Sequence, residues 1–457
     1  MNSAVIGSII GSIIIVILVA FQPFSVLAAS DGPAGSISQK AMPQELTVII
    51  PNDFKTVEDY DYEKIDLCAL NTPPSAQASV ESLASYLAAP ARNEREKARS
   101  IFRWITKNID YNVAGYFSGS YGAANASDLL KTRKSVCDGY SDLFESLATE
   151  AGLDAVRIAG YGKGYGYKPG ENISGQSNHA WNAVKINGSW YLVDCTWGAG
   201  YIDEDKKYVR EFDDHYFMTS PAEFVYDHFP DDSRWQLTDK PITKSEFEKL
   251  VYVKSGFFNY GLKLGSHQEG TIKADTGMNI SIYAPEDVLL MAKLDYDDGK
   301  RSSSGTDLGS YSFVQREQDR YDILAEFPSA GNYILRAYAK QKDDPGEYSD
   351  VLEYRIEATA GSGENAGFPM TYGKFTEAGA YLFSPMEERL KSGVPQRFKL
   401  RVPGAMNVSV INGEEWHYLE QRGDLFEGNM TPARGDVVVC ARFQGEKWDG
   451  MVKYIGH

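Results

Sequence analysis

The chain has 457 residues, a hydrophobic fraction of 43% and a formal net charge of −17. That length accommodates roughly three domains, and the apolar content is enough for packed cores, which excludes a mainly disordered chain. Lys and Arg number 46 against 63 Asp and Glu, with no basic run, so neither nucleic acid nor an anionic membrane surface is expected as a partner.

Residues 4–20 are uncharged and apolar, and Val26-Leu27-Ala28 fits the small-residue rule for a secretory cleavage site. Residues 1–29 therefore read as a signal peptide or a signal anchor. The body of the protein is expected to be secreted or at the cell surface, touching a membrane only if residues 4–29 are retained. Residues 30–78 read as loop-rich, with one strand-like stretch, LTVIIP. Helical patterns follow at 79–89 and 94–109. The second has Asn93 as a cap, Glu94 and Glu96 in its first turn, and an apolar stripe of Ala98, Ile101, Phe102 and Ile105. Ser127 reads as the cap of a short helix, DLLKTRK. A longer helix begins at Cys137, with Tyr140, Leu143, Phe144 and Leu147 at 3.6-residue spacing and Gly152 as its stop. Next come a strand, AVRIAGY, a Gly/Tyr loop, and two strand-like runs, HAWNAVKI and SWYLVDC. Ser220-Pro221-Ala222-Glu223 spells a capping box.

The texture changes near Leu250. Residues 251–360 hold alternating runs such as NISIYAP, YDILAEF and NYILRAYA, which read as a β-sandwich of roughly seven strands. Residues 361–368 (GSGENAGF) read as a linker, and 369–457 repeat the style with RFKLRVPG, NVSVING and DVVVCARF. Two all-β, immunoglobulin-like sandwiches are expected, both without the Cys…Trp…Cys spacing of antibody domains.

Chemistry concentrates in three stretches: VCDGY around Cys137, NHAWN around His179 and WYLVDCTWG around Asp194. A cysteine opening a helix lies among unpaired N–H groups and the positive end of the dipole, a setting that favours the thiolate. Asn187-Gly188 is the pair that a two-residue type I′ turn prefers, so the two strand-like runs form a hairpin. If Ile186 faces Ser189, Asp194 lies opposite Trp181, and His179 becomes its diagonal neighbour on the same face. The carboxylate then holds one ring nitrogen while the other meets the sulfur, the arrangement of an activated nucleophile.

This order of Cys, His and Asp resembles the transglutaminase-like superfamily of papain-like thiol enzymes, and within it the kyphoscoliosis-peptidase branch. The resemblance is carried by KARSIFRWITKNIDYN (97–112), TRKSVCDGYSDLF (132–144), AGYGKGYGYKPG (159–170), the hairpin at 177–200 and YFMTSPAEFVYDHFPDDSRWQL (216–237). It spans residues 79–250. It implies an α+β core, with the nucleophile helix packed on an antiparallel sheet, followed by immunoglobulin-like domains. It also implies a thiol enzyme acting through Cys137, His179 and Asp194 on peptide or glutamine amide bonds of a protein or peptide substrate. Cys195 departs from the pattern, which more often has a small residue there.

Each element has a plainer alternative. Cys137 reads otherwise as a buried structural thiol, His179 as a strand histidine bonded to backbone, and Asp194 as a cap for the turn before Thr196. The Gly/Tyr loop is either a flexible surface loop or a lid over the thiol. Trp181 and Trp197 read as core or groove wall, and His215 and His228 as structural. Cys68, Cys195 and Cys440 show no disulfide framework, and neither CxxC nor HExxH occurs, so no metal or cofactor is expected. Hydrolysis as a cysteine peptidase ranks ahead of protein-glutamine cross-linking. A non-catalytic cell-surface scaffold on the same fold is the rival from another class. A redox-tuned enzyme pairing Cys195 with Cys137 is a third, weakened because Cys195 should point away from His179.

Overall fold

In the computed structural model, residues 60–119, 121, 125–297, 308–363 and 366–457 are described. The apolar stretch at 4–20, the small-residue site at 26–28 and LTVIIP fall outside them.

Helices come first. They are α1 (Glu63–Leu70), α2 (Val80–Ala88) and α3 (Glu94–Asn108). The stretch expected to be loop-rich therefore contains a helix. Its buried residues, Ile65 and Ala69, are too few to print a periodic signal. What secures α1 is α3, where Arg99 grips Asp66 through bonds of 2.7 and 2.8 Å. Asn93 caps α3 by accepting from the Glu96 N–H at 2.9 Å, and the expected stripe Ala98, Ile101, Phe102 and Ile105 is wholly buried.

After β1 (Asp110–Tyr111) come α4 (Val113–Ser118) and α5 (Ala126–Thr132). The cap of α5 is Asn125 rather than Ser127: Asn125 Oδ1 accepts from the Asp128 N–H at 2.9 Å, so the helix starts earlier. It also stops earlier, because Arg133 turns left-handed at φ 55°. That turn feeds β2 (Lys134–Ser135), which pairs in parallel with β1 and delivers the chain to α6 (Cys137–Glu150).

The core sheet contains β3 (Ala155–Gly162), β4 (His179–Ile186) and β5 (Ser189–Val193). A separate hairpin of β6 (Gly200–Ile202) and β7 (Tyr208–Arg210) intervenes before β8 (Phe217–Thr219) and β9 (His228–Pro230) complete it. The order is β8-β5-β4-β3-β9, antiparallel throughout. Asn187 and Gly188 have φ of 50° and 85°, as a type I′ turn requires, and Ile186 faces Ser189.

On one face, α6 packs Leu143, Phe144 and Leu147 with Val184, Ile186 and Val193. Asn182 donates to the Ser141 carbonyl at 3.0 Å and pins helix to strand. On the other face Trp181, Ala183 and Leu192 meet Tyr216 and Phe224. Burial on both faces explains why β4 shows no apolar–polar alternation. Between β8 and β9 lies α7 (Pro221–Phe224), only four residues long. Ser220 makes no side-chain cap bond there, so its spelling is not a capping box. Its carbonyl instead accepts from the Glu223 and Phe224 N–H groups, at 3.0 and 2.9 Å.

Two β-sandwiches follow, completing an α+β core with an all-β, immunoglobulin-like region. The first sets Val288–Tyr296, Gly331–Gln341 and Ser349–Ala358 against Gly277–Tyr283, Ser312–Glu317 and Arg320–Glu326. The second sets Asn407–Asn412, Gly435–Arg442 and Asp449–Gly456 against Gln396–Arg401 and Leu425–Met430. Phe368, within the expected linker, is buried. Its ring and that of Phe375 pack on Phe313 of the first sandwich at 5.7 and 6.0 Å.

Candidate active site

Cys137 is the first residue of α6 and is half-buried. The residue before it, Val136, has an extended backbone and makes no side-chain cap bond. Valine has no oxygen to offer the first-turn N–H groups, which an ordinary Ser or Asp cap would occupy. The helix start at the thiol is thus left as an anion-attracting end.

His179 opens β4, and Asp194 directly follows β5 across the hairpin. The register brings His179 Nε2 within 2.7 Å of Asp194 Oδ2, leaving Nδ1 as the ring nitrogen free for Cys137, whose proximity helps to raise the imidazole. The other carboxylate oxygen, Oδ1, accepts from the Thr196 and Trp197 N–H groups at 2.7 and 3.2 Å. Turn cap and histidine partner are therefore the two oxygens of one side chain. The rings of Trp197 and Trp181 stack with the imidazole, at 4.9 and 5.9 Å between centroids.

The electrostatics are those of a buried ion pair. Burial works against a charged His179. The charge and hydrogen bond of Asp194, then those of Cys137, outweigh it and raise the imidazole to about 10. Burial also works against the Asp194 carboxylate, yet His179, followed by His228, holds it well below the usual carboxylate range. Cys195 lies among the apolar residues under α6, and burial pushes its thiol up.

The mouth of the site is aromatic. Burial, then the Cys137 charge, raises the Tyr111 and Tyr116 hydroxyls. Tyr116 packs edge-on to Phe117, and Phe117 edge-on to Tyr165 at 5.6 Å, all three partly exposed. Tyr165 belongs to the Gly/Tyr loop, which is anchored rather than free. The Lys163 N–H donates to Asp227 O at 2.9 Å, and Lys163 Nζ to Leu250 O at 3.0 Å. Gly162 and Gly164 press close to Trp197, where an added Cβ would lie 3.1 Å from its ring.

Two residues at the site escaped the sequence reading. His228 and Asp227 stand beside Asp194: His228 Nε2 is 3.1 Å from Asp194 Oδ2, and its Nδ1 is 2.6 Å from Asp227 Oδ1. The signal present was the Asp-His dipeptide in the closing segment, which local pattern cannot link to a carboxylate 34 positions away. His179, Asp194 and His228 are also, among the described residues, a cluster with metal-ligand chemistry. Their spacings of 2.7 and 3.1 Å are hydrogen-bond lengths. The arrangement is a proton-holding chain.

Comparison with known proteins agrees with this fold. Residues 81–195 match the transglutaminase-like superfamily, and residues 244–369 the KY-like, immunoglobulin-like domain. Kyphoscoliosis peptidase of Homo sapiens is 35% identical over 300 residues, covering 65% of this chain and 43% of that protein. Hillarin of Drosophila melanogaster is 30% identical over 325 residues, 65% of this chain and 39% of that protein. The Lim and transglutaminase domain protein ltd-1 of Caenorhabditis elegans is 32% identical over 327 residues, 66% and 45% respectively. The chain matches less than half the length of each of these relatives.

Proposed function

We propose that this chain, whose residues 81–195 match the transglutaminase-like superfamily and 244–369 the KY-like, immunoglobulin-like domain, is a thiol enzyme forming a thioester on Cys137. Cys137 Sγ attacks the carbonyl carbon of a peptide bond or glutamine carboxamide. His179 takes the thiol proton and returns it to the departing amine, while Asp194 orients the ring. The Cys137 backbone N–H, at an uncapped helix start, is the natural first donor to the oxyanion. Water then resolves the thioester, regenerating the thiol and releasing an acid. Resolution by an amine would give a cross-link instead.

The observation that carries this reading is one buried imidazole set between its two partners, with Nε2 at 2.7 Å from Asp194 Oδ2 and the ring close enough to Cys137 for the thiol to raise its basicity. The substrate is proposed to be a protein or peptide whose side chains meet the Tyr116, Phe117 and Tyr165 rings. Export is proposed on the apolar stretch at 4–20, and N-terminal sequencing of protein recovered outside the cytoplasm should find Ala29 or Ser30 first if the segment is cleaved.

The test is iodoacetamide labelling of Cys137 from pH 4 to 10, in wild type and His179→Ala. Labelling that persists well below the ~8.5 of a free thiol, and is lost with the histidine, supports the pair. Peptide and glutamine donors with and without added amine then separate hydrolysis from transfer. A thiol that labels only at high pH and ignores His179 would leave a non-catalytic scaffold.

A further inference from the structure

His228 lies on β9, between the two segments matched to known families, and is 1% exposed. Its Nε2 shares Asp194 Oδ2 with His179, and its Nδ1 faces Asp227 Oδ1. Asp227 is buried too, and its second oxygen accepts the Tyr216 hydroxyl at 3.1 Å. Carboxylates only accept when ionised, so His228 Nε2 is a donor to Asp194, and each ring nitrogen shares a proton with one buried acid. Phe224 stacks on the ring at 3.8 Å between centroids, with Trp197 and Trp181 at 4.3 and 5.0 Å.

We propose that His228 is a positioning residue for the thiol–imidazole pair: clamped between Asp227 and Asp194, it holds Asp194 on His179 and cancels part of that carboxylate's pull on the His179 proton. This rests on the triad reading above. An imidazole against a bare, buried aspartate keeps its proton too firmly to pass it to a departing amine. A second donor on the same oxygen loosens that hold and keeps the oxygen in place. The titratable groups facing His228 are Asp227 from its own segment, Asp194 after β5, His179 on β4, and His215 and Tyr216 ahead of β8. Lys163, after β3, faces Asp227.

His228→Leu takes the second donor from Asp194 Oδ2 and leaves that oxygen to His179 alone. The carboxylate then holds the His179 proton more firmly, so the alkaline limb of Cys137 labelling by iodoacetate, an anion drawn to the thiol by the imidazolium, should rise by about one pH unit. His228→Gln, which keeps a donor for Asp194, should leave the limb nearer wild type. A bell-shaped wild-type profile whose alkaline limb is unmoved in His228→Leu overturns the proposal and leaves the triad standing. A wild-type profile without the bell overturns both. Should neither variant fold, ring 15N resonances of the wild-type protein decide: a protonated His228 Nε2 is expected, and a bare one refutes the clamp.

Discussion

Asp194→Asn is the most informative single change, because the structure dictates how the amide must sit. Oδ1 is already held by the Thr196 and Trp197 N–H groups, so the new NH2 has to take the place of Oδ2. It then faces His179 Nε2 and His228 Nε2. His179 must accept at Nε2, which moves its remaining proton to Nδ1, toward the sulfur. The base is then in the wrong tautomer. Rotating the amide instead breaks two buried backbone bonds, at about 1 kcal/mol each. The lost charge also matters. Asp194 heads the influences that raise His179 from 6.5 to about 10, so the alkaline limb of Cys137 labelling by the anion iodoacetate, which the imidazolium draws in, should move down by about three pH units. Turnover should drop on the order of 10⁴, the size of the effect when a triad aspartate is made neutral with its geometry kept. Stability should fall by about 3 kcal/mol, since one partner of a buried charge cluster is removed. Labelling across pH, turnover of an identified peptide donor and urea unfolding measure the three. A variant with the wild-type labelling profile, and less than a tenfold loss of turnover, would refute the reasoning.

Three further outcomes follow from other parts of the molecule. His179 has a folded-state value, about 10, above its unfolded 6.5. Its contribution to stability is therefore complete below pH 6.5 and lost as pH rises through 10, so the urea midpoint of wild type should decline across that window relative to His179→Ala. Gly160→Ala would place a Cβ 2.3 Å from Phe229 O and 2.5 Å from the Trp181 ring. Prising β9 from β3 should cost about 3 kcal/mol in thermal unfolding and lower Cys137 labelling, because His228 rides on β9. Arg99→Ala strips Asp66 and Asp214 of a guanidinium that is itself 3% exposed, and chemical denaturation should show a loss of about 3 kcal/mol with the labelling profile unchanged.

Local physics wrote much of this protein into its sequence. The stripe on α3, the start of α6 at Cys137 and the alternating strands of both sandwiches follow from side-chain period and capping chemistry. The Asn187-Gly188 turn, once read, sets the register that carries His179 to Asp194, because a two-residue loop allows one pairing. What local pattern misjudged was decided by neighbours. A helix with two buried residues, α1, exists because Arg99 reaches across to Asp66. Asn125 outcompeted Ser127 as a cap because its side chain met the Asp128 N–H. Ser220 capped nothing because the turn after it closed on backbone bonds. His228 looked structural because nothing in its sequence neighbourhood names Asp194. Only the sheet order β8-β5-β4-β3-β9 sets β9 at the edge where its imidazole meets that carboxylate. Periodicity and turn chemistry act over a few residues and are legible in the chain, whereas the sharing of one buried oxygen by two distant histidines depends on how strands assemble.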